Sequence, residues 1–156
     1  MGIIGFPGCE KDDICVDGDA PLLIIRFYDQ ANPENTKEVT TLRVVGVGQA
    51  STVNTFADRS TADSLAIPLR PGSLSTTFVL ISNSKDVDEL EAGNSDTLTF
   101  NHETNEVFVS RACGFIASYE NLSTSLTADS DNWIDTIEIT NPIVENTFEA
   151  HVKIFH

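Results

Sequence analysis

The sequence predicts an all-β fold: an antiparallel β-sandwich, immunoglobulin-like or Greek-key, with eight or nine strands. Short β-rich runs alternate with turn-rich clusters about every ten residues, which is typical of a sandwich. A long amphipathic helical pattern is missing from the sequence. With 156 residues, 40% of them hydrophobic, the chain is large enough to bury the core of one domain. Short connections between the runs favour antiparallel pairing.

The first five predicted strands lie between residues 22 and 82. Segment 22–28 is apolar on both faces and is therefore predicted as a central strand. Segment 64–69 alternates between apolar and small polar residues. Because Pro68 cannot donate to a β-ladder, this strand is expected either to lie at an edge or to have a partner that misses that position. The other three predicted strands are 39–47, the weaker 52–56, and 76–82.

The second half of the chain begins with an acidic loop at 84–94. A hairpin is predicted next, in which the turn 102–105 joins strands 96–101 and 106–111. The polar segment 121–132 is expected to be a turn-rich connection. The remaining predicted strands are 114–119, 133–140 and 147–155.

The charge balance excludes one class of partner. Lys and Arg number 9 against 24 Asp and Glu, which gives a formal charge of −15. Nucleic acids are bound by cations that displace counterions, and here the cations are few and scattered. An acidic surface is also repelled by anionic membranes, and no apolar run approaches the ~20 residues that span a bilayer. We therefore expect no nucleic-acid partner, and membrane contact only through a lipid anchor.

Three cysteines provide the strongest sequence signal. They are Cys9, Cys15 and Cys113, and neither a CxxC pair nor a nearby histidine suggests a zinc site. An odd count in a small exported protein suggests one disulfide and one cysteine with another role. Cys9 follows Gly8 and a short apolar stretch and precedes the polar segment 10–13, which is the layout of a lipidated N-terminal cysteine in a bacterial lipoprotein.

With Cys9 lipidated, Cys15 and Cys113 form the predicted disulfide. Such a bond closes a loop of nearly a hundred residues, which is worth on the order of 4–5 kcal/mol in the chain-entropy model. It requires an oxidising compartment. The alternative is three reduced, buried cysteines. Residues 1–20 are accordingly expected to be a signal-peptide remnant, the anchor cysteine and an acidic tether, followed by a β-sandwich domain at 21–156.

Six segments carry a resemblance to a known family: CEKDDIC (9–15), PLLIIRFY (21–28), IPL (67–69), VFVSRACG (107–114), NWI (132–134) and HVKI (151–154). On these segments, nearly the whole chain from Cys9 onward resembles a family of small Bacteroidota cell-envelope lipoproteins of unknown function. The resemblance implies an outer-membrane lipoprotein on the periplasmic or cell-surface side, and it offers no activity. The sequence Lys11-Asp12-Asp13 is similar to a tether signal for the outer surface, although an ordinary solvated linker is equally compatible.

Four residues form the predicted binding surface: Arg26, Tyr28, Tyr119 and Trp133. The aromatic side chains would suit a sugar platform, although such residues more often belong to a core or a half-buried sheet. Arg26 interrupts a strongly apolar strand. Its side chain is expected either to lie exposed over a buried stem or to form a buried pair with an acid.

No metal, cofactor or catalytic residue is predicted. Segments 17–19 and 129–132 each resemble a piece of a calcium loop but lack its full ligand set, and 129–132 is more simply a turn. GxSxG, HExxH, P-loop and dinucleotide motifs are missing from the sequence.

The expected function is therefore that of a non-enzymatic accessory or interaction subunit of an envelope complex, with a protein partner. The alternative is a module that binds a small ligand or glycan, and an enzyme is the third hypothesis. An exposed apolar patch would favour the first, an aromatic cleft the second, and convergent histidine and carboxylate groups in a pocket the third.

Overall fold

The structure is a computed structural model that describes residues 20–49, 51–112 and 114–156. Across these ranges all regular structure is β, which confirms the predicted fold class. No helix in the described ranges is long and apolar enough to cross a membrane. The strands are β1 (Leu23–Tyr28), β2 (Val39–Gly46), β3 (Ser60–Ala62), β4 (Ser64–Ile67), β5 (Ser75–Ser82), β6 (Asp86–Val87), β7 (Leu90–Glu91), β8 (Asn94–Ser110), β9 (Gly114–Leu126), β10 (Thr136–Ile139) and β11 (Val152–Phe155).

Two main sheets form the sandwich. One has the order β10-β11-β1-β4 and the other β3-β2-β5-β8-β9, while β6 and β7 form a small hairpin of their own. As predicted, β1 is an interior strand and β4 lies at an edge. One pair departs from antiparallel pairing, because β1 and β11 run parallel. These two strands come from distant parts of the chain, so no short connection constrains their direction.

Alternating side chains build the core. In β1, Leu23, Ile25 and Phe27 are fully buried, and Leu65 and Ile67 of β4 lie on the same inner face. This is the period-two pattern of a strand with one face against a core. Burial of each such side chain contributes about 1.5–3 kcal/mol of hydrophobic stabilisation.

Two hydrogen bonds between the layers show how the sheets face each other. The hydroxyl of Tyr119 in β9 donates to the carbonyl of Leu69, just beyond β4, at 3.1 Å. The indole Nε1 of Trp133 donates to the carbonyl of Leu80 in β5 at 3.1 Å, and its ring lies 6.2 Å from that of Phe27. The start of β1 therefore lies at the Tyr119 end of the sandwich, and its end lies near Leu80.

The predicted hairpin turn at 102–105 is wrong. Strand β8 continues through these residues as far as Ser110, which pairs with Gly114 at the start of β9. The polar sequence that suggested a turn includes His102, which is only 3% exposed. The Nε2 atom of His102 lies 2.8 Å from the hydroxyl of Thr76. This buried contact with Thr76 lets the polar His102 remain within the strand. The β8–β9 pairing shifts its register between Asn101 and Glu103, and no turn forms there.

Other predicted boundaries also differ. Residues 121–126 belong to β9, and the acidic loop contains β6 and β7. Segment 52–56 contributes only an isolated bridge from Thr52 to Val45. The last two predicted strands are shorter than expected, at Thr136–Ile139 and Val152–Phe155.

Beyond Asn101, β8 no longer pairs with β5 and continues with β9 alone. We call residues 103–110 of β8 together with 114–120 of β9 the ribbon. Its base, at Tyr119, lies at the end of the sandwich where β1 begins.

Candidate interaction site at the β6–β7 hairpin

The β6–β7 hairpin joins the end of β5 to the start of β8, so it lies at the opposite end of the sandwich from the ribbon. Val87 and Leu90 are paired across it and are 50% and 71% exposed. Two adjacent exposed apolar side chains on a surface this acidic form a small, distinct patch. Four carboxylates frame them: Asp86, Asp88, Glu89 and Glu91.

The turn of this hairpin is strained. Asp88 and Glu89 both have positive φ angles, of 52° and 65°, a conformation usually occupied by Asn-Gly in a type I′ turn. Of six non-glycine residues with positive φ in the described ranges, five belong to the hairpin or to segments that support its base. Strain of this kind persists only where the surroundings impose it, and it is common at functional sites. The five residues are Thr41, Arg59, Asn83, Asp88 and Glu89.

Two arginines hold the base of the hairpin. Arg59 binds both carboxylate oxygens of Asp86, the shorter contact being 2.7 Å, and its Nε donates to the hydroxyl of Ser84 at 3.0 Å. That hydroxyl donates to Glu91 at 2.7 Å. Guanidinium nitrogens of Arg43 and Arg59 each lie 3.6 Å from the same oxygen of Glu91. The fork geometry of these pairs fixes the orientation of the hairpin.

The carboxylates at the base are held in the charged form. Desolvation acts to raise the pKa of Glu91, but hydrogen bonds from the Ser84 hydroxyl and from the Gly93 and Lys85 amides bring it below its usual value. The hydrogen bond from Arg59 lowers the pKa of Asp86. The base of the hairpin therefore keeps its negative charges well into the acidic range.

The four residues of the predicted binding surface do not lie together. Arg26 and Tyr28 share the outer face of the β1 sheet, where Arg26 pairs in register with Lys153, whose Nζ lies 5.0 Å from the Tyr28 ring centroid. Arg26 is exposed, so a buried ion pair is ruled out for it. Trp133 is half-buried against the core, and Tyr119 is fully buried. Including Tyr119 in a surface was wrong, because its hydroxyl bonds between the two sheets.

The cysteine predictions fall outside the described residues. The proposed anchor Cys9 and the predicted disulfide partners Cys15 and Cys113 all lie there, as does segment 17–19. Their roles stay predictions.

Segment 129–132 uses its polar atoms within its own turn. Asp129 accepts the amide of Asp131 at 2.8 Å, and the side-chain oxygen of Asn132 accepts the amide of Asp129 at 3.0 Å. In the part of the chain that the structure describes, no group of three or more His, Cys, Asp or Glu side chains is placed to hold a metal ion.

A cavity of about 400 Å³ opens near the ribbon end, between the end of β2, the segment after β4 and the start of β5. Among its described lining residues Arg70 is the one charged side chain and Phe78 the one aromatic. Below it, the Thr76 hydroxyl accepts the Arg70 amide at 2.9 Å and contacts His102. Burial lowers the pKa of His102, so its ring is neutral at pH 7. The lining offers a cation and neutral polar groups, which suits a small polar or anionic ligand.

Neither the hairpin nor the cavity was predicted as a site. For the hairpin a signal was present in the apolar-acid-acid-apolar sequence of 87–90 inside an otherwise polar loop. For the cavity no local signal existed, since its lining comes from three separate segments.

Residues 41–156 match the model of a family of unknown function, DUF6452. No curated protein and no solved structure matches the chain. Because the match covers most of the sequence, including β3 to β11 and most of β2, the chain belongs to DUF6452, a family of unknown function.

Proposed function

We propose that this protein is a non-enzymatic interaction subunit of the cell envelope, which binds a protein partner through the β6–β7 hairpin. The observation that carries the proposal is the exposure of Val87 and Leu90 on a strained, arginine-supported tip. Apolar side chains on a rigid element lose little conformational entropy on binding. The surrounding carboxylates favour a partner whose apolar depression is rimmed by Lys or Arg.

We further propose that the protein is anchored in the outer membrane by lipid on Cys9, with a disulfide between Cys15 and Cys113. The chain enters the described domain at the ribbon end, where β1 begins. The β6–β7 hairpin lies at the other end. An anchor at Cys9 would thus direct the hairpin away from the membrane, where a partner can reach it.

Site-specific photo-crosslinking in membranes of the native host tests the partner proposal. A photoreactive amino acid at position 90 should give a discrete adduct with one protein. Leu74, which is 76% exposed at the opposite end of the sandwich, provides the matched control position. The partner, once identified by mass spectrometry, should bind the purified protein with an affinity that falls as salt rises, because carboxylates contribute to the contact.

The double variant Val87→Ser and Leu90→Ser should bind this partner at least tenfold more weakly while keeping the wild-type melting temperature. Leu74→Ser should bind normally. Equal adducts from positions 74 and 90, or unchanged affinity of the double variant, would overturn the proposal.

The cavity beside Arg70 supports a second candidate function, the binding of a small acidic sugar. Its volume lies within the range of ligand pockets, and the guanidinium is oriented by a contact of 3.3 Å to the carbonyl of Val47. Galacturonate, but not uncharged galactose, should shift the NMR signals of Arg70 and Thr76. Arg70→Gln should abolish the shifts, and equal responses to both sugars would exclude the carboxylate-binding role.

A further inference from the structure

The ribbon carries a second exposed apolar pair. Phe108 and Phe115 are opposite each other across β8 and β9, with ring centroids 5.4 Å apart, and they are 60% and 64% exposed. Along β9, Ala117 lies on the same face as Phe115, because side chains two positions apart point to the same side of a strand. A two-stranded ribbon is marginally stable in water by itself, so this apolar face favours a packing partner.

The outer edge of β9 is open beside this pair. The amide of Tyr119 donates to the carbonyl of Val144 at 2.9 Å, and the amide of Val144 donates to the carbonyl of Tyr119 at 2.7 Å. In an antiparallel strand the N–H and C=O groups of alternate residues point to the same side. Those of Ala117 and Phe115 therefore point to the same edge as those of Tyr119. Within the described ranges, no strand pairs with this edge at positions 114–118.

This edge lacks the features that usually protect an exposed strand. Natural edges are blocked by charged side chains, above all lysine, or by proline. The sequence GFIAS at 114–118 contains none of these. The stretch of β8 that pairs with it contributes one carboxylate, Glu106, in a chain whose net charge is −15. An extended strand can therefore add to β9 here without meeting a like charge on β9.

We propose that a second copy of the chain occupies this edge, with the two β9 strands paired antiparallel about a two-fold axis at Ile116. In this register Phe115 of each copy is opposite Ala117 of the other. Each of these two pairs exchanges two backbone hydrogen bonds, because both residues point their N–H and C=O groups to the edge. A large side chain thus lies beside a small one on each side of the axis. The pairing ends before Tyr119, whose edge Val144 already occupies.

Two properties of this register favour a second copy as the occupant. The first is that Phe115 of one copy and Phe115 of the other become diagonal neighbours, which lie about 7–8 Å apart and within reach of aromatic side chains. The two Phe108–Phe115 pairs then form one apolar cluster on a four-stranded sheet of order β8-β9-β9-β8. The second is that no charged side chain lies on either β9 strand where the two meet, so two acidic chains can approach each other there.

The buried area indicates a weak, reversible dimer. A fully buried aromatic side chain covers about 150–250 Å², so the exposed parts of the four Phe side chains offer roughly 350–600 Å². With a comparable area from the strand edges the total is about 1,000 Å², at the low end for a specific interface. We therefore expect a dissociation constant in the micromolar range or above. The β6–β7 hairpin lies at the other end of the sandwich, so this inference does not depend on the partner proposed for it.

Sedimentation equilibrium of the full chain, from micromolar to near-millimolar concentration, tests the proposal. It should show a monomer–dimer equilibrium that becomes tighter as salt rises, because screening reduces the repulsion between two acidic chains. Phe115→Lys should raise the dissociation constant at least tenfold, although it makes the chain less negative. Phe148→Lys is the matched control, because it is the same substitution at a 91% exposed site outside the ribbon, and it should leave the dissociation constant unchanged.

A filtered NOE experiment on a mixture of isotope-labelled and unlabelled wild-type chains tests the register. Contacts between copies should connect the Phe115 ring with the Ala117 methyl group. Contacts between copies only at other positions, a chain that is monomeric at every concentration, or equal effects of the two Lys variants would overturn the proposal. A dimer that survives denaturing electrophoresis without reductant would be covalent and would also overturn it, as would capture of a different protein at this edge by a monomeric chain.

Discussion

Replacing Tyr119 by Phe removes the hydroxyl that joins the two sheets and leaves the ring in place. Tyr119 is fully buried, and its hydroxyl donates to the carbonyl of Leu69 at 3.1 Å. In Tyr119→Phe the carbonyl of Leu69 loses its hydrogen-bond donor from β9. A buried acceptor left without a donor lowers the free energy of unfolding by about 1–3 kcal/mol. For a domain of this size each kcal/mol lowers the melting temperature by about 2–4 °C, so we expect a decrease on the order of 2–12 °C.

Urea denaturation followed by Trp fluorescence, together with calorimetry, measures this change. Tyr28→Phe is the matched control, because Tyr28 is half-buried on the outer face of its sheet. It should alter the free energy of unfolding by less than about 0.5 kcal/mol. If Tyr119→Phe were as stable as Tyr28→Phe, the interlayer hydrogen bond would not be a determinant of stability.

Three further outcomes are expected. Burial lowers the pKa of His151, whose Nδ1 accepts the Ile24 amide at 2.9 Å. As the pH falls below about 6.5, this histidine is therefore protonated in the unfolded chain before it is protonated in the folded one, and the free energy of unfolding decreases. His151→Asn keeps an acceptor without titrating, and its stability should fall less between pH 7 and 5 in parallel denaturation curves; an identical slope would contradict the assignment. In Gly93→Ala the new Cβ would lie 2.8 Å from the carbonyl oxygen of Ser82. Denaturation should show that the free energy of unfolding falls by about 1–3 kcal/mol, and an unchanged value would contradict this close approach. Arg59→Gln should weaken partner binding with little change in melting temperature, because the carboxylate of its ion pair, Asp86, is 57% exposed and solvent-exposed ion pairs contribute little to stability. Binding at wild-type affinity would show that the hairpin needs no arginine support.

The elements predicted correctly are those in which local sequence and burial agree. The alternation of 64–69 with Pro68 placed an edge strand, and the apolar run of 22–28 placed an interior one. The parallel pairing of β1 with β11 could not be predicted, because it depends on a contact between distant segments. Likewise, His102 suggested a turn because its buried partner, Thr76, lies 26 positions away.

The candidate sites were harder to predict than the fold. Tyr119 looked available for binding because a sequence does not show which face of a strand meets a second sheet. The sequence predicts residues 87–90 as part of an acidic loop. Their hairpin conformation could not be predicted because it is held by arginines of other segments, chiefly Arg59. Both cases depend on long-range packing, which local patterns do not encode.

The central position of β11 beside β1 has a consequence for how the chain is made. Ile24 and His151, bonded through the His151 ring, are separated by 127 positions. At a synthesis rate of about 5–20 residues per second, β1 waits roughly 6–25 s before its parallel partner exists. During that interval LIIRFY is an apolar strand with an open edge, a type of segment that aggregates readily. We therefore expect the nascent chain to need a holding chaperone, and folding to be slow, as is usual for topologies dominated by distant contacts.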